Sequence, residues 1–329
     1  MAKPVYGGWV SFTCHLSLKY DYPLFRISKR TEKKKRNLGY GVGYQNMNIE
    51  ELSNKSNILI TAIDKNYYQY LDKIPDGSYI VIHDPTEVKG KKNILLEHIQ
   101  RFNIITIRET MYNFLLDKHN IKSKFIPHPF YEFPKGPLKE KNNVVSISRI
   151  DFDKNIDVLI RANLLIDNDA STIDGDDAIP NISIFGAKND IYVHHHLTNK
   201  LGLPLDKYYK GRFKKDFNEL ANILNCAKYV IDMSSIANDG SGSQYTFLEA
   251  IYCGCILILN KKWINPSVNS LFIDGKNCFI VENENDILSI LSKYKEKDEN
   301  LSVIIEESKK IIKKNLEADW SFKSLKEAI

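Results

Sequence analysis

The stretch that decides the fold is Val144-Val145-Ser146-Ile147-Ser148-Arg149-Ile150-Asp151-Phe152-Asp153-Lys154-Asn155, where an apolar run gives way to polar and charged residues. Its first four residues are typical of a buried strand, and apolar residues at helical spacing from Ile156 to Leu165 predict a helix. A strand, a polar loop and a helix in this order begin a βαβ unit. The stretch therefore indicates an α/β protein with a mainly parallel sheet.

The same alternation recurs on both sides of this stretch. A helix is predicted from Glu109 to His119, where apolar residues recur at helical spacing. Strands are predicted from short apolar runs at 57–62, 79–84, 104–107, 123–126, 181–185, 229–233 and 255–259. Because open α/β sheets bind ligands beyond the carboxyl ends of their strands, the polar residues directly after each strand are the candidate site residues.

A proline-rich segment divides the alternating pattern into two parts. Residues 127–137 contain four prolines and one glycine, so neither a helix nor a central strand is expected to pass through them. With 329 residues the chain is long enough for two domains. We therefore predict two α/β units in tandem, with a boundary close to residue 135.

Composition narrows the class of protein. Hydrophobic residues make up 43% of the chain and charged residues 26%, which is the mixture of a globular protein. No apolar run approaches the roughly 18 residues that a transmembrane helix needs, and the first residues lack the apolar core of a signal peptide. The expected location is the cytoplasm, or the host cytoplasm for a viral protein. The five scattered cysteines are predicted to be free thiols.

The first motif with chemical content is the loop that follows the strand at 144–147. Arg149 and Lys154 lie five residues apart in it, between a predicted strand and a predicted helix. A guanidinium offers forked hydrogen bonds and an ammonium offers a point charge, so the pair suits a diphosphate. A surface ion-pair role for the two side chains is the alternative interpretation.

The second motif is a loop of small residues from Asp239 to Ser243 that leads into an apolar helix. Free backbone N–H groups at the start of that helix, from about Gln244 to Phe247, are able to bind a phosphate. Glu249 lies about one turn further, where a carboxylate is able to accept hydrogen bonds from both hydroxyls of a ribose. A serine-capped helix with an exposed Glu249 is the alternative.

In their order along the chain, these motifs resemble those of retaining glycosyltransferases of the GT-B fold, and more narrowly those of glycosyltransferase family 4. The stretches that carry the resemblance are 148–154, 184–186, 209–213, 240–249 and 253–255. The resemblance implies two Rossmann-like domains that face a central cleft. It also implies transfer of a sugar from a nucleoside-diphosphate sugar, with a UDP-sugar as the expected donor, to a hydroxyl of a glycan or glycolipid.

The resemblance also implies a domain organisation. An acceptor-side domain is expected at 1–135, and a C-terminal helix at 312–329 is expected to pack back on it. The domain that binds the nucleotide sugar is expected at 136–311. No cofactor beyond the donor sugar nucleotide and no metal ion are implied.

Site residues follow from the resemblance, position by position. The catalytic set is His83, Asp84, Arg149 and Lys154, in which the strand-end His-Asp pair faces the transferred sugar and the two cations bind the diphosphate. A glycine loop near Gly8 is expected beside the acceptor and the phosphate. The donor-binding set is Gly8, Arg149, Lys154, Gly186, Gly211, Arg212, Phe213, Gly242, Ser243, Gln244, Tyr245, Thr246 and Glu249.

One position departs from the family pattern. The family has two glutamates eight residues apart, and the residue eight positions before Glu249 is Ser241. The nearest acidic residue on that side is Asp239. Either Asp239 takes the place of the first glutamate or backbone atoms hold the sugar hydroxyls.

Two further features are open to more than one interpretation. The tract His194-His195-His196 is predicted to lie on the surface, because consecutive helical residues point in different directions and do not readily share a metal ion. A basic cluster is either a solvated hairpin or loop, or a patch that binds an anion such as nucleic acid. Its members are Lys29, Arg30, Lys33, Lys34, Lys35 and Arg36.

The acceptor therefore has several candidates at this stage. A glycan or a lipid-linked sugar is the first. A hydroxymethylated base in viral or phage DNA is the second, and the basic cluster would then contact the DNA. A protein that binds a sugar nucleotide without catalysing transfer is a third interpretation, suggested by the missing first glutamate.

Overall fold

The structure of the chain, a computed structural model, describes residues 8–28, 35–63, 65–88, 94–137, 139–170, 179–235, 244–263, 271–293 and 299–327. The chain divides into two compact units. Unit 1 comprises Met1–Phe133 and Lys313–Ile329, and unit 2 comprises Pro134–Ile312. The change of unit thus falls inside the proline-rich segment 127–137.

Unit 1 contains two separate sheets. The first has the order β1-β3-β2, in which β1 (Leu24–Ile27) is parallel to β3 (Val42–Met47) and β2 (Arg36–Gly39) forms an antiparallel hairpin with β3. The second has the order β4-β5-β6-β7 and is wholly parallel. Its strands are β4 (Leu59–Ile60), β5 (Tyr79–Ile82), β6 (Asn103–Thr106) and β7 (Lys124–Phe125).

A cavity of about 430 Å³ lies between the two sheets of unit 1. It is lined by residues of β1 and β4 and by the first turns of helix α1 (Gly8–Tyr20). In the described part of the chain β1 pairs only with β3, and β4 pairs only with β5. The single Rossmann-like sheet expected for this half is therefore divided in two.

The helices of unit 1 pack on both sheets: α1 contacts β2 and β3, and the helix Glu109–His119 contacts β6 and β7. They are α1, α2 (Ile49–Leu52), α3 (Ile94–His98) and α4 (Glu109–His119), with 3-10 helices at Lys65–Lys73, Pro85–Glu87 and Ile99–Arg101. Helix α4 has the predicted bounds and ends at Asn120, whose left-handed backbone (φ 52°) lets its N–H bond the carbonyls of Leu115 and Leu116. All four residues of β5 are buried, as their continuous apolar run predicts.

Unit 2 is built on one parallel sheet of six strands with the order β10-β9-β8-β11-β12-β13. The strands are β8 (Asn143–Ile147), β9 (Ile182–Phe185), β10 (Tyr209–Gly211), β11 (Ala227–Asp232), β12 (Ile256–Asn260) and β13 (Phe279–Val281). The chain adds β9 and β10 on one side of β8 and then returns to add β11 on the other side. The loops after β8 and β11 therefore diverge at a topological switch point, where open α/β sheets bind ligands.

The helices of unit 2 follow its strands. They are α5 (Ile156–Ala170), α6 (Leu205–Tyr208), α7 (Phe217–Asn225), α8 (Tyr245–Tyr252) and α9 (Glu284–Leu291). A π-helix spans Tyr192–Lys200, and 3-10 helices span Phe152–Lys154 and Lys261–Trp263. Helix α5 extends beyond the predicted end at Leu165. No helix in the described part of the chain is long and apolar enough to cross a membrane.

The C-terminal residues form two helices rather than the one expected at 312–329. Helix α10 spans Glu299–Glu317 and helix α11 spans Phe322–Glu327. Trp320, which is fully buried, separates them. Its backbone N–H donates to the Tyr20 hydroxyl (2.9 Å) and its indole N–H donates to the Pro127 carbonyl (2.9 Å), so these contacts within unit 1 replace helical hydrogen bonds.

Candidate functional site

In unit 2 the loop after β8 places two cations at the switch point. Arg149 is half exposed and donates to Asp151 Oδ2 (2.9 Å) and Asp153 Oδ2 (3.3 Å). Lys154 is buried, and its ammonium donates to Ser234 Oγ (2.6 Å) and lies 3.9 Å from Asp153 Oδ2. The charges of Arg149 and Lys154 are balanced by those of Asp151 and Asp153 in the same loop. An incoming anion would therefore compete with the two aspartates for Arg149.

The backbone of this loop is fastened to the end of β11. Asn155 has a left-handed backbone (φ 45°), and its side-chain amide donates to the Met233 carbonyl (2.7 Å) and to Ser235 Oγ (3.0 Å). The Ser235 N–H donates to the Asp153 carbonyl (2.9 Å). These bonds hold the loops after β8 and β11 together across the switch point. Ser234, Ser235 and Asn155 were not predicted as site residues. Ser234 directly follows the predicted strand at 229–233, and Asn155 is the last residue of the stretch 144–155.

Asp151 and Asp153 form an Asp-x-Asp pattern after β8 that was not predicted from the sequence. Asp151 also caps the 3-10 helix Phe152–Lys154, since its Oδ1 accepts from the Phe152 N–H (2.9 Å) and from Asn189 Nδ2 (2.8 Å). These carboxylates thus accept hydrogen bonds from Arg149, and Asp151 also accepts one from the backbone of the loop. Among the described residues, no group of three or more His, Cys, Asp or Glu side chains is placed to hold a metal ion.

Gly186 at the end of β9 is required by a close backbone approach. A Cβ atom at this position would lie 1.7 Å from the Ser148 carbonyl oxygen, and its φ of +158° is uncommon for other residues. The Gly186 N–H donates to the Gly211 carbonyl (3.1 Å), which ties the ends of β9 and β10. Gly186 therefore allows β9 to end directly beside the loop of Arg149.

The residues expected to hold the base follow β10. Gly211 ends this edge strand with a φ of +98°, a conformation that favours glycine. Arg212 is exposed and Phe213 is half-buried. All three lie at the same carboxyl edge as Arg149, because the strands of this sheet are parallel.

Helix α8 starts where the second motif was predicted. Gln244 is its N-cap residue, and Tyr245 and Thr246 form its first turn. Glu249 is buried at 5% exposure, which contradicts the alternative of an exposed glutamate. Gln244 Nε2 is shielded from solvent and has no hydrogen-bond partner among the described residues. Gly242, Ser243 and Asp239 lie outside the described residues, so the departure from the family pattern stays open.

In unit 1, His83 directly follows β5 and is almost fully buried. Its Nε2 lies 2.7 Å from the Thr61 carbonyl oxygen, and the Phe12 ring meets it edge-on at 5.0 Å between centroids. A carbonyl only accepts, so Nε2 carries the hydrogen and Nδ1 has the free lone pair. Burial lowers the pKa of His83 to about 4, so the ring is neutral near pH 7. Asp84, the next residue, is half-buried.

Glu87 is a site residue that the sequence did not reveal. Its Oε2 accepts from the His83 N–H (3.1 Å) and its Oε1 accepts from the Trp9 indole N–H (3.1 Å). Glu87 is buried at 7% exposure, and burial raises the pKa of its carboxyl group well above the usual value. In the sequence, a glutamate after Pro85 and Thr86 is typical of a solvated turn. Only its position four residues after His83 indicates a role at the site.

Three other predicted features have these positions. Gly8 is the first described residue and the first residue of α1, and its role beside the acceptor stays a prediction. His194 and His195 are exposed on the π-helix, while His196 stacks on Tyr192 at 5.2 Å between ring centroids. Lys35 and Arg36 are exposed beside the β2–β3 hairpin, and Lys29, Arg30, Lys33 and Lys34 lie outside the described residues. Contact with DNA stays a prediction.

A family model matches the C-terminal part of the chain. Residues 177–325 match the family described as glycosyl transferase-like. That range includes β9 to β13, helix α8 and Glu249. A search of curated proteins returned no match.

Solved structures of glycosyltransferases share the fold. HepE of Anabaena, in a complex with UDP and glucose, aligns with a TM-score of 0.65 and 13% identity over 96% of this chain and 94% of that chain. A glycosyltransferase of Rickettsia africae aligns with a TM-score of 0.62 and 13% identity over 95% of this chain and 91% of that one. These alignments span both units.

TarM of S. aureus, in a complex with fondaparinux, alpha-GlcNAc-glycerol and UDP, aligns with a TM-score of 0.57 and 17% identity over 82% of this chain. The present chain spans only 53% of the length of that TarM chain. At such identities the likeness establishes the fold. The chain has the GT-B fold, which confirms the fold class predicted from its sequence.

Proposed function

We propose that this GT-B chain is a glycosyltransferase that transfers a sugar from a UDP-sugar to a hydroxyl group of a glycan or glycolipid. The observation that carries the proposal is the pair Arg149 and Lys154 at the switch point of unit 2, fastened to the end of β11 through Ser234. The family match over 177–325 supports it. UDP in the solved structures of HepE and TarM supports the choice of nucleotide.

The proposed donor site uses the carboxyl edge of the sheet in unit 2. Arg149 and Lys154 bind the diphosphate and stabilise the negative charge that grows on it as the sugar departs. The N–H groups in the first turn of α8 add partial positive charge, and Glu249 accepts from the ribose hydroxyls. Gly211, Arg212 and Phe213 hold the base. Gly186 keeps the end of β9 close to the diphosphate loop.

The proposed role of unit 1 is to hold the acceptor. His83 presents a neutral imidazole whose Nδ1 is able to accept a hydrogen bond from a sugar hydroxyl. We infer retention of the anomeric configuration from the resemblance to glycosyltransferase family 4. The cations of unit 2 stabilise the leaving group in this scheme, so the reaction needs no metal ion.

The test is a screen of nucleotide sugars followed by a transfer assay. Thermal unfolding of the chain is recorded with UDP, GDP, ADP and a set of their sugars, each with its free sugar as a control. We expect UDP compounds to raise the melting temperature, because ligands that bind only the folded state stabilise it by mass action. Each stabilising donor is then incubated with glycan and glycolipid acceptors, and the configuration of the product is read by NMR.

The screen has outcomes that contradict the proposal. Equal stabilisation by all nucleotides and by inorganic pyrophosphate would indicate a general anion site rather than a UDP-sugar site. Tight UDP-sugar binding with neither transfer nor donor hydrolysis would indicate a protein that binds the sugar nucleotide without acting on it.

A further inference from the structure

A closed circuit of hydrogen bonds links the first turns of α1 to the ends of β4 and β5 in unit 1. Trp9 donates through its indole to Glu87, and Glu87 accepts from the His83 backbone. His83 donates from Nε2 to the Thr61 carbonyl. The circuit closes through Thr13, whose hydroxyl lies 2.8 Å from the Thr61 hydroxyl and 2.8 Å from the Trp9 carbonyl.

The circuit holds His83 from two sides. Thr61 fixes the tautomer and the plane of the imidazole, and Glu87 fixes the backbone from which the ring projects. Trp9 adds a ring contact with His83 at 6.1 Å between centroids, so movement of the first turn of α1 would also disturb the imidazole. The Tyr68 hydroxyl donates to the Glu87 carbonyl (3.3 Å), and the Glu87 N–H donates to the Asp84 carbonyl (3.2 Å), which fix Glu87 itself.

Glu87 connects His83 to Trp9 through two hydrogen bonds, an arrangement that we call the Glu87 clamp. Both oxygens of the Glu87 side chain accept from N–H donors on different elements, which is the geometry of an ionised carboxylate, and these two hydrogen bonds oppose the rise in pKa that burial causes. A glutamine of the same shape has one acceptor and one donor, and it therefore satisfies only one of the two N–H donors. A buried N–H without a partner costs free energy, so the first turn of α1 and His83 would shift apart in such a variant.

We propose that Glu87 is the positioning residue of the acceptor-side unit, and that it holds His83 and the first turn of α1 in register so that His83 Nδ1 faces a substrate hydroxyl. This inference rests on the proposed function, because it assigns His83 to the substrate. Glu87 touches no substrate in this scheme and acts through His83 and Trp9. Its effect is therefore on turnover and acceptor use, while donor binding in unit 2 is unaffected.

The test compares Glu87→Gln, Trp9→Phe and the double variant with the wild type, and uses Glu97→Gln as a matched control. Glu97 is an exposed glutamate of α3 in the same unit. We expect Glu87→Gln to lower kcat about 10- to 100-fold, the loss that a displacement of about 1 Å at a substrate-contacting group produces. The Kd for UDP should stay within about twofold of the wild type, and Glu97→Gln should match the wild type throughout.

The double variant distinguishes a clamp from two independent effects. Trp9→Phe removes one donor of the clamp and should lower kcat less than Glu87→Gln does. Adding Trp9→Phe to Glu87→Gln should cost nothing more if both act through one contact. Effects that multiply would overturn the proposal, as would a wild-type kcat and acceptor KM in Glu87→Gln. If Glu87→Gln does not fold, Trp9→Phe decides alone, and its wild-type kcat would overturn the proposal.

A second measurement separates this inference from the proposed function. The ring nitrogens of His83 are observed by ¹⁵N NMR in the full chain, assigned by comparison with His83→Gln. We expect the Nε2–H tautomer in the wild type and a mixture of tautomers in Glu87→Gln. If the wild type transfers no sugar, the proposed function fails, and the positioning role is still decided by this signal: an unchanged His83 spectrum in Glu87→Gln would overturn it.

Discussion

In unit 2 the loop after β8 holds a guanidinium and an ammonium at the strand ends, whereas in unit 1 the ends of β4 and β5 hold a neutral imidazole and a buried carboxyl group. The carboxyl edges of the two parallel sheets thus carry side chains of different charge. Permanent cations attract a diphosphate, while a neutral imidazole forms hydrogen bonds with hydroxyls without attracting charge. The difference is the physical basis for assigning the nucleotide to unit 2 and a neutral partner to unit 1.

Burial has a different consequence at each edge. Lys154 is buried, and Ser234 and Asp153 lie beside its ammonium, so polar partners replace part of the water that the side chain loses. His83 is buried with one carbonyl as its partner, and burial lowers its pKa, which favours the neutral ring.

The largest expected effect contrasts two glycines that were both predicted as donor-site residues. Gly186→Ala forces its Cβ against the Ser148 carbonyl, so we expect a loss of about 3 kcal/mol in the free energy of unfolding, together with weaker UDP binding. Gly8→Ala in unit 1 meets no atom within 4 Å and should leave stability nearly unchanged. Urea unfolding of both variants checks this contrast, and equal stability of the two would contradict it.

The next effect concerns the buried ammonium of unit 2. Lys154→Met keeps the length of the side chain but removes its charge, so we expect UDP affinity to fall about 10- to 100-fold, as for loss of a charge-assisted hydrogen bond. Lys200→Met, at an exposed position that ends the π-helix, is the matched control. Titration calorimetry gives both affinities. A wild-type Kd in Lys154→Met would remove this residue from the site.

These expectations also show what the sequence could and could not provide. Strands β8, β9, β11 and β12 of unit 2 were predicted to within a few residues, because runs such as Ile256 to Leu259 are continuous and apolar, whereas the three-residue strands β10 and β13 were not predicted. The sheet of β1, β2 and β3 was not predicted either, because Arg36–Gly39 has no apolar alternation. Glu87 and Ser234 were missed for a different reason: their importance lies in partners distant in sequence, which local patterns do not report.

A smaller effect concerns the pH dependence of stability in unit 1. The pKa of His83 is lowered to about 4 in the folded chain, against about 6.5 for an unfolded histidine. Between these values the unfolded chain binds a proton that the folded chain does not, so the free energy of unfolding falls as pH decreases through this window. At pH 5 the His83 contribution amounts to about 2 kcal/mol relative to pH 7.

Urea unfolding at pH 7 and pH 5 checks this effect. The loss of stability between the two pH values should be smaller in His83→Gln than in the wild type, and His195→Gln, at an exposed position, should behave like the wild type. His128, whose pKa burial also lowers, and Glu87, whose raised pKa has the opposite sign, contribute to all three proteins. An unchanged pH dependence in His83→Gln would contradict the neutral, buried state of this ring.

The smallest expected effect is that of a metal chelator. If Arg149 and Lys154 stabilise the leaving diphosphate, transfer should be unchanged by EDTA and by added Mg²⁺ or Mn²⁺. The alternative ligands are Asp151 and Asp153, which pair with Arg149 in the structure. Stimulation of the wild type by Mn²⁺ that disappears in Asp153→Asn would show that this loop uses a metal ion instead.

Calorimetric titration of UDP into the wild type and into the double variant Arg149→Ala/Lys154→Ala tests whether the loop after β8 binds the diphosphate. We expect saturable binding at one site in the wild type and no detectable binding in the double variant, with an unchanged far-UV circular dichroism spectrum. Lys200→Ala/Lys293→Ala, which removes two exposed cations elsewhere in unit 2, should bind UDP as the wild type does. Equal UDP binding by the two double variants would remove the diphosphate from this loop.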